Sequence, residues 1–461
     1  MAHTKNTNTV VRVGRPQNAA FMLMKAKKAF QHLPQELVDL IVDQLRDNPS
    51  ALATCSLISW AWVPRSRHHL FRCLKISILE SHICYDLLRH PLCTFRPFVR
   101  AVALKFKDVI LDTKVYRPPE VWIASVLSKL KLDGTVTEFQ AEDYRVLGVD
   151  CFWESLRTVA PTFTSHITHL RLCEFGPAWF FRFRALMHEF PAITSLYHST
   201  SNPEFDPSVE ASGYGENQHL APPSLRSVVI ATRGEVCPIQ QGFSQLMWSW
   251  LLESRTSLSS LRLDGLITIP VGAPPDLQSL VSFRDYLNFL GPSLEVLNLH
   301  FRDKLSSIRF FNDVGLQSTT GLREFEFGNV PLFYDPENDQ FLLPFFFLAM
   351  SRLWSKFPQQ LNMRKVSVIL QITPFDVEGL DFFNCADEEL AAQAYRDLNT
   401  AFTGTLFPNL EELVFVVSLA EDDEVDRPPL DDSVLDKVAT FLEGNLAKIM
   451  ERGILIVSRG N

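Results

Sequence analysis

A six-residue pattern, apolar, two free, apolar, one free, apolar, returns ten times along this chain and limits it more than any other feature. Its copies begin at Val99, Val136, Ile167, Ile193, Leu225, Leu258, Leu294, Leu322, Met363 and Leu410. Leu258-Ser-Ser-Leu261-Arg-Leu263 and Leu294-Glu-Val-Leu297-Asn-Leu299 are clear examples. The fourth and sixth positions alternate with polar ones, as a strand with one buried face requires. Helical stretches such as Phe243 to Glu253 and Leu343 to Trp354 separate the copies, so the class is α/β. The third, fifth and seventh positions then turn away from the core. They carry His169, Arg171, Tyr197, Arg262, Asp264, Asn298 and His300, the candidate target-binding residues, with Glu324 and Glu326 beside them. Such a mixture of rigid and directional side chains suits recognition of a partner.

The repeated strand resembles that of leucine-rich repeats. Its starts lie roughly 26 to 47 residues apart, at or beyond the upper end of the usual 20 to 29. The Asn that closes each turn in that family is missing: Lys107, Tyr144 and Leu266 stand at its place in their copies. Packing must then hold the turns. The composition supplies material for it, with 36 Phe against 8 Tyr and 8 Trp, and 28 Pro beside only 19 Gly. Phe139, Phe325, Phe327 and Phe415 are the rings expected to fill the interior, and the prolines to mark joints. A generic alternating α/β sheet is the alternative to a repeat solenoid.

Ahead of the repeats the chain is helical. Leu33-Pro34-Gln35-Glu36-Leu37-Val38-Asp39-Leu40-Ile41-Val42-Asp43-Gln44-Leu45 places Pro and acids in a first turn. Leu37, Ile41 and Leu45 form one apolar stripe, and Val38 and Val42 a second, which asks for two packing partners. Asn48-Pro49 restarts a helix with a cap followed by proline, carrying Leu52, Cys55 and Leu57. Trp60-Ala61-Trp62 and the basic run Arg65 to Arg72 follow.

Leu33-Pro34, Glu36-Leu37, Ile41, Leu45, Ala51-Leu52, Cys55-Ser56-Leu57-Ile58 and Trp62 resemble an F-box, of the form abundant in mushroom-forming fungi, in which Pro-Arg-Ser-Arg-His-His-Leu-Phe follows the Trp. Ser59 and Trp60 depart from the Cys and basic residue usual there. The resemblance implies docking to a Skp-family adaptor, and through it to a cullin-based (SCF-type) ubiquitin ligase, by Leu33, Pro34, Leu37, Ile41, Leu45, Leu52, Leu57, Ile58 and Trp62. The expected organisation is a basic, disordered leader over 1–31, a small helical F-box module over 32–73, and an irregular leucine-rich-repeat-like strand–helix solenoid over 74–461. Loops are expected near 202–223 and 420–432, where polar, proline-rich and acidic residues gather.

The remaining composition mostly excludes. A net charge of −9 offers no electrostatic reason to seek nucleic acid or an anionic membrane. Eight cysteines without a CxxC pair read as reduced thiols, and with no long apolar run the expected place is intracellular, neither secreted nor transmembrane. The acid-free leader also fits a mitochondrial presequence. His68-His69 lies in a basic stretch better suited to solvent than to metal. Phosphate-binding, zinc-protease and serine-hydrolase motifs are missing, so no catalytic residue, metal or cofactor is expected. The expected function is that of an adaptor presenting an unidentified target protein for ubiquitination. The alternatives are a non-degradative scaffold and, third, an enzyme built on an α/β sheet.

Overall fold

The computed structural model describes residues 33–77, 81–105, 125–130, 136–142, 163–173, 180–200, 219–232, 238–267, 278–301, 310, 314–335, 340–342, 359–374, 388–403, 406–419 and 432–459. The leader and most of both expected loops lie outside these residues.

Three short helices open the described chain: α1 (Gln35–Gln44), α2 (Pro49–Ile58) and α3 (Val63–Leu70). Pro34 stands just before α1, and its carbonyl accepts from the amides of Leu37 and Val38. Asn48 caps α2 as expected, its Oδ1 accepting from the Ala51 amide at 3.0 Å, with Pro49 as the first helical residue. Val38, Val42, Leu52, Cys55 and Trp62 form a small core of their own, apart from the main one.

The main body is one sheet. Its strands are β1 (Cys73–Ser77), β2 (Ala101–Lys105), β3 (Glu138–Glu142), β4 (His169–Cys173), β5 (Ser195–Thr200), β6 (Ser227–Thr232), β7 (Ser260–Ile267), β8 (Val296–Phe301), β9 (Glu324–Asp335), β10 (Gln340–Leu342), β11 (Lys365–Pro374), β12 (Glu412–Leu419) and β13 (Leu455–Arg459). Twelve of them follow one another in chain order, each parallel to the next, and only β10 pairs antiparallel, with β9. The crossovers carry α4 (Ser81–Arg89), α5 (Phe180–His188), α6 (Pro238–Glu253), α7 (Gln278–Leu290), α8 (Glu388–Thr403), α9 (Asp432–Asn445) and α10 (Ala447–Glu451).

The expected fold class is corrected by this topology. In place of the expected small helical F-box module followed by an irregular leucine-rich-repeat-like solenoid, the three opening helices run into a single α/β sheet of parallel strands with α-helices between them. The six-residue pattern reports a strand with one face buried under helices, which any strand–helix–strand unit demands. That pattern does not by itself select a repeat coil. Linkers of variable length then admit full helices of up to 16 residues.

Register lays the fourth motif positions side by side, from Leu74 through Phe139, Leu196, Leu261, Phe325 and Leu413 to Leu455. This row lies in or against the main core, which the crossover helices complete with Phe183, Trp250, Tyr286 and Leu442 among others. All four of the expected rings, Phe139, Phe325, Phe327 and Phe415, are buried. At the strand entrances a backbone ladder links each strand to the next. The amides of Arg100, Thr137, Thr168 and Thr194 donate to the carbonyls of Arg72, Arg100, Thr137 and Thr168, each at 2.8 Å, and the series continues to Glu411 on Arg364. The main-chain groups at the strand entrances are therefore satisfied by main chain.

Candidate functional site

Two surfaces stand out. The first is the helical module, where the two stripes of α1 part company. Val38 and Val42 go inward, while Leu37 and Ile41, 45% and 40% exposed, remain on the outside with Leu40. Leu57 and Trp60 are more exposed still, at 83% and 87%. The Gln35 side chain donates to the Ala61 carbonyl at 3.1 Å and so holds the Trp60-Ala61 segment against the start of α1. Of the expected docking residues, Pro34, Leu37, Ile41 and Leu57 are exposed, and Leu33, Leu45 and Ile58 are half-buried against the module core. Leu52 and Trp62 are corrected: both are core residues, turned inward because three short helices need large side chains to fill their centre. Leu40 and Trp60 fall outside the set that the resemblance implies. Leu40 is legible as the i+3 neighbour of Leu37 on the outer stripe.

A half-buried clamp fixes α1 against α3. Arg65 makes a two-pronged pair with Asp43, Nε on Oδ1 at 2.6 Å and Nη2 on Oδ2 at 2.7 Å, and His69 Nε2 lies 2.7 Å from Oδ1. The hydrogen bonds from Arg65 and then His69 hold the Asp43 carboxyl far below the ordinary carboxylate range. A carboxyl depressed in the folded state stabilises fully above its unfolded value, about 3.9, and that contribution is lost as pH falls through the folded value. Asp43→Asn should therefore speed amide exchange in α1 near neutral pH, in line with a local cost of about 1 kcal/mol. The difference from wild type should shrink as both are taken below about pH 4. Equal exchange at pH 7 would remove the clamp argument.

The second surface is the sheet face opposite the main core. His169 and Arg171 of β4 are exposed there, and the Arg171 guanidinium lies 4.2 Å over the Tyr197 ring of the adjacent strand. Further along, three strands make a three-by-three grid: Ser260, Arg262 and Asp264 on β7, Val296, Asn298 and His300 on β8, and Glu324, Glu326 and Gly328 on β9. His300 sits between two carboxylates, Nδ1 3.1 Å from Asp264 Oδ1 and Nε2 2.9 Å from Glu326 Oε1. Asn298 Nδ2 donates to Glu326 Oε1 at 3.1 Å, and Arg262 lies 3.5 Å from Asp264. The placing of His300 as an open contact residue is corrected, because it is only 5% exposed and its ring nitrogens already face carboxylates. Glu326, also on this face, completes the cluster. Gly328 makes room for the ring, since a Cβ there would stand 2.4 Å from His300 Cδ2.

Burial pulls the His300 imidazole towards the neutral form, but the hydrogen bonds to Asp264 and Glu326 outweigh it and its pKa is raised. Asp264 and Glu326 are each lowered, first by the hydrogen bond from His300. The unit is an imidazole held between two carboxylates. Both ring nitrogens of the histidine are engaged, and among the described residues no group of His, Cys, Asp and Glu is placed to hold a metal. Cys84, half-buried, has its thiol pushed up to about 11 by burial, and the five described cysteines are free thiols. No described helix is long and apolar enough to cross a membrane.

No family model matches the chain, and no curated protein does. Among solved structures, a β-glucosidase from Thermotoga maritima in complex with deoxynojirimycin is similar over 61% of this chain and 76% of that one, at 11% identity and a TM-score of 0.20. So slight an overlap carries no argument about fold or chemistry.

Proposed function

We propose that this protein is an interaction subunit: the helical module docks onto a Skp-family adaptor of a cullin-based ubiquitin ligase, and the sheet face that carries His169, Arg171 and Arg262 holds a target protein. One observation carries the reading, namely that the module fills its own core with Val38, Val42, Leu52, Cys55 and Trp62 and still leaves Leu37, Leu40, Ile41, Leu57 and Trp60 outside. Large apolar side chains gathered on so small a unit are what a docking surface supplies. No catalytic group of its own is needed for this task, because holding a target beside a separate enzyme raises its effective concentration there.

The test is capture of a purified Skp-type adaptor by the full chain, wild type against Leu37→Asp, Ile41→Asp. Both side chains are outside the core, so the double variant should fold as wild type does. Each buried leucine-sized anchor contributes about 1.5–3 kcal/mol, so affinity should drop at least a hundredfold. Capture undiminished in the double variant, or none by the wild type, would overturn the docking surface. Target half-lives that do not change when the module is deleted would favour the scaffold over the degradative form.

A further inference from the structure

We propose that His300 is a proton-operated latch across β7, β8 and β9, which ties Asp264 to Glu326 when protonated and releases one of them when it is not. The geometry comes first. Asp264 and Glu326 stand on strands that are not neighbours of each other, and the imidazole on the strand between them reaches both. An imidazolium has two N–H donors and satisfies two carboxylates, whereas a neutral ring has one donor and one acceptor. Loss of the proton must therefore leave one carboxylate facing a ring nitrogen lone pair. The ring cannot swing out to water, because it is buried and packs on Gly328.

Among the described residues, the groups that face His300 are few. From β7 they are Asp264 and, behind it, Arg262, and from β9 Glu326, with Glu324 further along the same row. On its own strand Asn298 is neutral and is bonded to Glu326. Arg262 opposes protonation but is directed at Asp264, so the two carboxylates dominate. Because the raised group favours the folded state when protonated, its contribution is fully present at low pH and is lost as pH rises through the folded value. Asp264 and Glu326 are partly open to solvent, at 39% and 26% of their side chains, so the carboxylate that loses the ring, though still held by Arg262 or Asn298, changes what the face presents. Only that last consequence, a change in what the face offers a target, rests on the adaptor reading.

The test is an NMR titration of full-length protein labelled in histidine, with the His300 signal assigned by its disappearance in His300→Gln. The midpoint should lie above an ordinary histidine's value of about 6.5, and should drop in both Glu326→Gln and Asp264→Asn. Amide protection in β7 to β9, taken relative to the intrinsic exchange rate at each pH, should fall about tenfold as pH passes the midpoint in the wild type, the worth of one charge-assisted hydrogen bond, and should not do so in His300→Gln. A midpoint at or below the ordinary value, or one unmoved by either variant, would overturn the latch. Adaptor capture by His300→Gln should equal wild type, so failure of the latch and failure of the docking surface are read separately.

Discussion

Trp250→Ala is expected to destabilise the fold by about 4 kcal/mol, read as a lower midpoint in urea unfolding followed by tryptophan-independent far-UV dichroism. Trp250 is buried in α6, and its ring meets Phe180 and Phe183 of α5 edge-on, with centroids 6.3 and 5.4 Å away. Its Nε1 donates to the His219 carbonyl at 2.8 Å. Removal opens a cavity between two crossover helices and leaves a half-buried carbonyl without that donor, two costs that add. Trp250→Phe separates them. It keeps most of the ring contacts and loses the N–H, so it should cost about 1–2 kcal/mol. Equal losses in the two variants would place the whole effect in the hydrogen bond rather than in packing.

The strands were legible because one rule governs them. Each of the ten expected copies places a strand two residues after its start, from Val99 before β2 to Leu410 before β12. Every one of those ten starting side chains is buried, as are the fourth positions. Two parallel strands lie outside the ten copies for identifiable reasons. The copy for β1 begins at Phe71, inside the basic run of the helical module, and the copy for β13 would begin at Arg452, where the pattern needs an apolar residue. β10 is a three-residue antiparallel strand with no periodicity to detect. The pattern also leaves open which architecture the strands build, since a buried face constrains a strand and its helix but not the identity of the assembled fold.

Site geometry was legible in part. Alternation correctly puts Arg171, Tyr197, Arg262, Asp264, Asn298 and His300 on the face away from the core. It could not show that His300 lies between Asp264 and Glu326, because cross-strand partners separated by about 30 residues are set by register, and register is a property of the assembled sheet. Docking residues divide in the same way. Sequence identifies two stripes on α1, but which stripe turns inward depends on Leu52 and Trp62, whose own placement only packing decides.

Gly321→Ala is expected to cost about 3 kcal/mol or more, an unusual penalty for one added methyl. Gly321 is buried just before β9, and a Cβ built on it would stand 1.8 Å from the Pro292 carbonyl oxygen and 2.6 Å from the carbonyl carbon. Those atoms are main chain in the turn that leads into β8. The turn has little freedom to yield: Gly291 already adopts φ +49°, Ser293 Oγ donates to the Leu290 carbonyl at 2.6 Å, and Leu294 is wholly buried. Relief must come from moving β9 away from β8, which strains the 2.7 Å bond from the Arg323 amide to the Glu295 carbonyl. Gly444 provides the control. It lies in α9 with open space where a Cβ would stand, so Gly444→Ala should stabilise by about 0.5–1 kcal/mol through the better helix former. Opposite signs at the two glycines, measured by urea unfolding of the full chain, are the expected result. A neutral Gly321→Ala would mean that the entrances of adjacent strands are not in backbone contact, and the hydrogen-bonded ladder that runs from Arg72 to Glu411 would lose its tightest point.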